Sequence, residues 1–329
     1  LAIATAAYIT HLALPRLHDT HARLGTFTHG VFDLLNQMWW GLLLGILAVG
    51  LLGRVPREMV LAILGPGGRV TGVLRAVGAG LLLDLCNHGI LLVAMKLYER
   101  GASLGQVMAF LIASPWNSFS LTLILFALIG WKWTLVFVLG SALIALASGL
   151  IFDALTRRGI LPRNPNAHEL PLDYSLVRDT RTRLQGFRPS TLWIATTLRE
   201  GLSESRMILR WILFGTVLAA FLRAVVPVDS FQTWFGPTLI GLLITLLAAT
   251  IIEVCSEGSS PIAADLLTRG HAPGGAFTFL MAGAATDYTE IMALKETTRS
   301  WKIALFLPLI TVPQVLLLGW IMNHFSTSG

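Results

Sequence analysis

Two short stretches of this sequence place a carboxylate, a thiol and a third polar group at alternate positions. The first holds Asp84, Cys86 and His88 and ends at Gly89. The second holds Glu253, Cys255 and Glu257 and ends at Gly258. Thiolate, imidazole and carboxylate together suit zinc, and thiolate also favours copper(I) and other soft ions. In a continuous helix residues i and i+2 do not face each other. The three side chains of each stretch therefore converge only if the helix unwinds there, which the two glycines permit. Two plainer readings stay open. Cys86 and Cys255, the chain's two cysteines, are small buried apolar residues in one and a disulfide in the other, which requires Cα atoms within about 7 Å.

The two stretches are one motif written twice. Placing residue 84 over residue 253, an offset of 169, brings ten identities into the 34 positions from 84 to 117. Cys86 meets Cys255, Gly89 meets Gly258, Arg100-Gly101 meets Arg269-Gly270, Gly105 meets Gly274, and Phe110-Leu111 meets Phe279-Leu280. Apolar composition generates chance Leu and Ala matches but not Cys, Gly and Arg in register. Pseudo-symmetric halves imply a central site between them.

The elements that must carry these motifs follow from composition. Of 329 residues 54% are hydrophobic and only 13% charged, about half the roughly 25% charge of soluble domains. That excludes a disordered chain, a disulfide scaffold and a soluble enzyme of this size, and leaves a polytopic membrane protein. Apolar runs long enough to span a bilayer occur at Leu34–Gly53, Trp131–Leu155, Ile208–Val226 and Trp301–Met322. Four further stretches, 70–98, 103–130, 238–268 and the one after Pro273, are interrupted by polar residues. Unwound backbone at membrane depth is tolerated where protein or a water-filled cavity satisfies it. The expected fold is all-α, with about eight transmembrane helices in two repeats, or ten if the broken segments cross separately. The expected division is an N-terminal segment 1–33, repeat 1 at 34–156, a polar basic linker at 157–207 and repeat 2 at 208–324. The linker carries Arg157, Arg158, Arg163, Arg178, Arg181, Arg183, Arg188 and Arg199 and should be cytoplasmic. Arg54, Arg57 and Arg69 conflict with that assignment under eight spans. The residues Thr191 to Met207 read as an amphipathic surface helix. The net charge of +6 fits this topology signal, and no nucleic-acid motif accompanies it.

Ionisable residues inside apolar text are costly and point to function. Asp265, Asp287 and Glu290 join the motif residues on that ground. Asn117 falls opposite Thr286 in the repeat and Ser118 opposite Asp287, so a second pair of breaks also carries polar ligand types. The plain alternative is that Asp287 and Glu290 cap a helix start. The chain contains no P-loop, no H-E-x-x-H and no G-x-S-x-G. A membrane enzyme would have to use Asp287, Glu290 and His88 as acid–base groups.

The stretches Cys86-Asn-His-Gly89, Arg100-Gly-Ala-Ser-Leu-Gly105, Ala109-Phe-Leu-Ile-Ala-Ser-Pro115 and Glu253-Val-Cys-Ser-Glu-Gly-Ser-Ser-Pro-Ile-Ala263 resemble the bacterial predicted-permease family that includes the organoarsenical efflux permeases. The run Phe279 to Met292, with Thr286-Asp-Tyr-Thr-Glu290, resembles its branch of copper/zinc or heavy-metal efflux transporters. The chain departs from the family's C-S-C-G pattern, with one Cys at the first break, and lacks the Pro that follows at Pro261 in the second half. The resemblance implies a multi-pass permease of the bacterial inner membrane that exports a metal or metalloid ion. Cys86 and Cys255 would be central ligands. Asp84, His88, Glu253 and Glu257 would complete the site, with Asp287, Glu290, Asn117 and Asp265 as coupling groups or secondary ligands. The ion, zinc or copper, is substrate rather than cofactor. Membrane lipid is the expected partner, with a homo-oligomer left open, and an organoarsenical or other polyatomic solute is the alternative cargo.

Overall fold

A computed structural model of the chain describes residues 2–13, 22–54, 57–83, 87–113, 119–167, 181, 191–225, 235–252, 256–268 and 270–327. The described residues contain helices and no strand. In chain order they are α1 (Ala2–Ala13), α2 (Ala22–Arg54), α3 (Arg57–Leu64), α4 (Val70–Leu82), α5 (Asn87–Glu99), α6 (Leu104–Ala113) and α7 (Phe119–Arg157). They continue as α8 (Thr191–Val225), α9 (Leu239–Ile252), α10 (Ser256–Thr268), α11 (Pro273–Thr286), α12 (Tyr288–Thr298) and α13 (Trp301–Thr327).

The apolar residues of the outer helices point outward. On α7 Trp131, Leu135, Leu139 and Leu143 recur every four residues and are exposed. On α9 Leu239, Leu243, Leu247 and Ile251 do the same, as do Trp301, Leu305 and Leu309 on α13. A stripe at this spacing covers one helix face. In water it would be buried, and here it faces the surroundings. Two stretches, Leu125–Arg157 and Trp301–Phe325, are long and apolar enough to cross a bilayer alone, with mean hydropathy 2.5 and 2.0.

Small residues let the inner helices approach closely. Thr197, Gly201 and Ser205, four apart and buried on α8, lie against α2, where a Cβ at Gly50 would strike Thr197 and one at Gly201 would strike the Ile46 carbonyl. Farther along, Gly30 faces Ala220. Residue numbers rise on α2 as they fall on α8, so the two helices are antiparallel.

The direction of each inner helix follows from similar contacts. Gly72 and Gly80 of α4 face Gln106 and Phe110–Ala113 of α6, so α4 and α6 run parallel. Gly105 faces Asp153, and Ala109 faces Gly149, so α6 is antiparallel to the second arm of α7. The Asn164 side-chain amide donates to the carbonyls of Tyr98 (2.7 Å) and Ala102 (2.8 Å), which places the C-terminus of α5 beside the C-terminus of α7. α4 thus leaves the end where α7 finishes, and α5 returns to it. Each arm has 13 residues, about 20 Å at 1.5 Å per residue. α7 turns sharply at Gly130 (φ 79°, ψ 164°), a conformation that glycine adopts freely. Its second arm, residues 131–157, is about 40 Å long. Residue 131 therefore lies at the opposite end, and residues 104–113 and 119–129 lie along the distance between the two ends.

Helices begin at 70, 87, 104 and 119 in the first half and at 239, 256, 273 and 288 in the second, each 169 residues later. The turn at Gly130 has its counterpart in left-handed Arg299 (φ 54°). α11 is antiparallel to α13 through Gly274 against Asn323 and Thr278 against Gly319. α9 runs parallel to α11, with Thr245 near Gly275 and Thr250 on Thr286.

Three expectations change. The stretch 70–98 is not one interrupted crossing. Its two arms form a hairpin that enters and leaves at the same end, because α4 must run with α6 while α5 closes back onto the α6 start. Arg54, Arg57 and Arg69 consequently share an end with Arg157, and their conflict with the linker disappears: Arg54 pairs with Glu200 at 3.0 Å, and the Arg100 side chain donates to the Gly53 carbonyl. Residues 33 and 207, division points in the sequence reading, lie within α2 and α8. α2 starts at Ala22, where the Thr28 hydroxyl bonds back to Gly25 O (3.1 Å) and His29 pairs with Asp33 (3.1 Å). α8 starts at Thr191, so residues 191–207 are continuous with the rest of α8 and pack their Thr197–Gly201–Ser205 face on α2 while Ile194, Arg199 and Leu202 stay exposed. Their charges hid the small-residue packing face.

Candidate functional site

The chemistry-bearing residues meet where helices stop short. α11 ends at Thr286, Asp287 takes an extended backbone (φ −59°, ψ 132°), and α12 begins at Tyr288. α11 has 14 residues, so the break lies about 20 Å from the end at which α11 starts. Asp287, Thr289 and Glu290 are all buried. Asp287 occupies the N-cap position of α12, yet its side chain makes no capping hydrogen bond. The plain explanation for an aspartate there, satisfying the free N–H groups of a helix start, does not apply to it.

Both hairpins reach this break. From the first hairpin comes Asn87, the opening residue of α5, also buried. A Cβ added at Gly283, one turn before the break, would lie 3.4 Å from Asn87 Nδ2 and 3.5 Å from Asp287 Oδ2. The missing side chain of Gly283 therefore leaves the space over which an amide and a carboxylate converge. From the second hairpin comes Thr250, whose hydroxyl lies 2.6 Å from that of Thr286. Beside Asn87, the Nδ1 atom of His88 is buried and has no hydrogen-bond partner among the described residues. A buried polar atom of this kind calls for a partner, and a neutral imidazole nitrogen can accept a proton, a hydrogen bond or a metal ion.

The expected site residues divide as follows. His88, Asp287 and Glu290 are described, and all three belong to the hairpin tip and the break. Asp84, Cys86, Asn117, Glu253 and Cys255 lie outside the described residues, as does the side chain of Glu257. Asp265 is exposed near the C-terminal end of α10. Among the described residues no group of three or more His, Cys, Asp or Glu side chains is placed to hold a metal ion. Asn87 was passed over in the sequence because attention fell on the alternate positions on either side of it. With the helix restarting at residue 87, adjacent Asn87 and His88 both sit in its first turn.

A second polar cluster has no counterpart in the sequence reading. Asp153, buried near the C-terminus of α7, accepts hydrogen bonds from the backbone N–H of Gly105 (3.0 Å) and Gly68 (3.1 Å) and from the Ser103 hydroxyl (3.4 Å). The Gln106 side-chain amide donates to the carbonyls of Leu64 (3.2 Å) and Gly65 (2.9 Å), and Arg157 donates to the Gly68 carbonyl (2.7 Å). At the matching place in the second half, Asn323 accepts from Gly274 N–H at 2.7 Å. The signal was present in the sequence: Gly149 and Asp153 meet Gly319 and Asn323 at an offset of 170, one residue beyond the register of the motifs.

A helical chain with outward apolar stripes, and with carboxylates buried where a spanning segment breaks between two hairpins, has the make-up of a membrane permease. The chain belongs to the predicted-permease family, whose profile matches residues 24–324. It is 25% identical over 242 residues to a protein of Mycobacterium tuberculosis named as a permease, covering 69% of this chain and 59% of that one. It is 22% identical over 276 residues to the YcgR protein of Bacillus subtilis, covering 82% of this chain and 88% of that one. A third relative, named as a subunit of a two-component membrane permease complex in Streptococcus mutans, is 23% identical over 238 residues, 71% of this chain and 74% of its own. No solved structure matches the chain.

Proposed function

We propose that this permease exports a heavy-metal or metalloid ion across a bacterial inner membrane, through a site at mid-depth between two inverted repeats. In this reading each repeat crosses the membrane three times: α2, α6 with the first arm of α7, and the second arm of α7; then α8, α11 with α12, and α13. The two hairpins dip in from opposite ends and return. Six crossings replace the eight or ten expected from hydropathy. The second half starts at the end where the first half finishes, which inverts it. The end carrying Arg54, Arg69, Arg100, Arg157, Arg158, Arg163, Arg299 and Lys302 is cytoplasmic by the positive-inside rule. The opposite end of the described helices carries far fewer cations, Arg23 and Lys132 among them.

The observation that carries the proposal is the break at Asp287, held between the tip residue Asn87 and Thr250. A spanning segment interrupted at mid-depth, with buried carboxylates and hairpin tips from both ends, is suited to hold a charged solute away from lipid. Cys86 and Cys255, which lie outside the described residues, would supply thiolates. Asp84, His88, Glu253 and Glu257 complete or tune the ligand set. Asp287 and Glu290 coordinate the ion or carry a counter-transported proton, and Asn117, outside the described residues, and Asp265 are the secondary ligands or coupling groups. Nothing in this set requires a resident cofactor, and the reaction is translocation rather than bond cleavage.

The test is metal tolerance in a sensitive bacterial host. Cys86→Ser and Cys255→Ser proteins, expressed to the wild-type level, should lose protection, and Asp287→Asn should lose it as well. Full tolerance in both cysteine variants overturns the thiol site. Parallel challenge with zinc, copper and methylated arsenite identifies the cargo, and protection against methylated arsenite alone would favour the polyatomic solute.

A further inference from the structure

Several cations at the basic end have partners within the protein. Arg54 pairs with Glu200, Lys96 pairs with Glu99 at 3.1 Å, and Arg100 donates to the Gly53 carbonyl. Three arginines around the start of α4 differ. Arg69, Arg75 and Arg157 are exposed, and none of them forms an ion pair with a carboxylate among the described residues. Asp153, one turn before Arg157, is buried and turned inward onto the Gly68 and Gly105 N–H groups and the Ser103 hydroxyl. The loop 65–68 holds two of these arginines in place. Arg75 reaches back along α4, and its Nη1 lies 3.0 Å from where a Cβ of Gly65 would be. Arg157 donates to the Gly68 carbonyl at 2.7 Å. Gly65 and Gly68 are three residues apart, so their Cα atoms are separated by at most about 11 Å. Arg69 follows directly. Gly68 takes one of the five N–H donors of Arg157, and no bond of Arg69 or Arg75 to a carboxylate offsets the charge.

An apolar track runs from this patch toward mid-depth. Val70, Leu74, Gly78 and Leu82 recur every four residues of α4 and so share one face. Val70 and Leu74 are more than half exposed, and Leu82 is 85% exposed. Gly78 makes a notch in the track, because a Cβ there would meet nothing within 4 Å. From Val70 to Leu82 the track is about 18 Å long, close to the roughly 15 Å of hydrocarbon in one leaflet. The cations therefore sit at the level of the head groups and the track at the level of the acyl chains. Guanidinium groups bind phosphate through paired N–H donors, and anionic lipid attracts basic residues at the membrane surface. The charge and the track each match one part of the same molecule.

We propose that the base of the first hairpin is a binding site for an anionic phospholipid, with its phosphate held by Arg69, Arg75 and Arg157 and one acyl chain lying along Val70, Leu74, Gly78 and Leu82. The lipid supplies the negative charge that these arginines do not receive from the protein, and it covers the outer face of α4. The site belongs to the cytoplasmic leaflet on the orientation given by the permease reading, whereas the patch and the track do not depend on that reading. Binding there adds a contact to the segment that Asp153 already joins to α6, so the lipid and the buried carboxylate hold the same loop from its two sides.

Lipid binding to the full-length purified protein in neutral detergent, counted by native mass spectrometry, tests this. Dioleoyl-phosphatidylglycerol should bind at least about tenfold more tightly than dioleoyl-phosphatidylcholine. Arg69→Gln, Arg75→Gln and Arg157→Gln should each weaken the anionic lipid by about fivefold, the loss of one basic contact at a membrane surface. Lys302→Gln, an exposed cation of the same end outside the patch, should leave the affinity unchanged. Inorganic phosphate, which has the charge but no chain, should not displace the lipid. Equal affinity for the two lipids overturns the proposal. So does a loss in Lys302→Gln as large as that in Arg75→Gln, which would make the effect one of general surface charge, and so does displacement by inorganic phosphate, which would make the site one for a free anion. Arg157 also holds Gly68, so if its variant does not fold, Arg69→Gln and Arg75→Gln decide. Transport plays no part in the readout, so a failed tolerance assay and a failed lipid site remain distinguishable.

Discussion

In the first turn of α6 the Gly105 N–H is held by Asp153; in the first turn of α11 the Gly274 N–H is held by Asn323. The backbone geometry is the same in both: two glycines cross face to face, Gly105 on Gly149 and Gly274 on Gly319. The pins differ by one functional group: the Asp153 carboxylate accepts from Gly105 and Gly68, and the Asn323 amide oxygen accepts from Gly274. The crossing of small residues is common to the two helix pairs. The polar pin is not: it is a carboxylate in the first pair and an amide in the second. Packing can thus be kept while the polar group beside it changes.

The shared part is the place to expect the largest effect. A Cβ at Gly274 would collide with the Gly319 carbonyl, and one at Gly105 with the Gly149 carbonyl and the Asp153 carboxylate. Backbone cannot move aside as a flexible side chain can, so Gly105→Leu and Gly274→Leu should each destabilise the protein by about 3 kcal/mol or prevent its accumulation. Thermal unfolding in detergent, followed by tryptophan fluorescence, measures this. If one half tolerates leucine and the other does not, the crossing is not equivalent and the comparison fails at its base.

The unshared part should respond unequally. Asp153→Ala leaves the buried Gly105 and Gly68 amides without their acceptor, at a cost of about 2 kcal/mol, whereas Asn323→Ala strands the Gly274 amide, at about 1 kcal/mol. The same unfolding measurement compares them directly. Equal losses would mean that the Gly68 bond contributes nothing and that the two pins are interchangeable.

How much of this was legible in the sequence differs between the levels of structure. Composition identified lipid as the solvent. The repeat pointed to two matching motifs, and α5 and α10 begin beside them, at residues 87 and 256. Direction was not legible. Hydropathy records which residues are apolar and is indifferent to whether a 13-residue arm continues or turns back, so the hairpins read as interrupted spans. The route of α4 is set by Gly72 and Gly80 against α6, a contact between residues more than thirty apart in the chain. In the site, His88, Asp287 and Glu290 stood out because charge and imidazole are rare in apolar text. Asn87, Thr250 and Gly283 did not, because amides, hydroxyls and glycines are common in membrane helices, and only their convergence on the break distinguishes them. Asp153 was hidden by its position four residues from a basic linker, where an aspartate is ordinarily exposed.

Within the site the expected effect is on transport rather than stability. An alanine at Gly283 would bring its Cβ to 3.4 Å from Asn87 and 3.5 Å from Asp287. Those contacts are tight but tolerable, and helix propensity favours alanine by roughly 1 kcal/mol. Gly283→Ala should therefore leave the unfolding temperature within a few degrees of wild type while reducing protection in the tolerance assay. Unchanged tolerance would remove the gap over Gly283 from the solute path. The result bears on the comparison of halves, because residue 114, the first-half counterpart of Gly283, is serine.

The smallest effect concerns what makes the basic end firm. Arg54 pairs with Glu200 at 3.0 Å, bonds Thr196 at 2.8 Å and lies 5.1 Å from the centre of the Trp193 ring. These contacts join α2 to α8 at the same end as the Asp153 cluster, and they would be an alternative source of its rigidity. Glu200, however, is more than half exposed. Exposed ion pairs contribute about 0–1 kcal/mol because water and salt screen them. Arg54→Ala should lower stability by about 0.5 kcal/mol and leave hydrogen exchange in residues 64–72 as it is in wild type. A loss as large as that of Asp153→Ala would mean that surface charge, rather than a buried carboxylate with backbone partners, holds this end together.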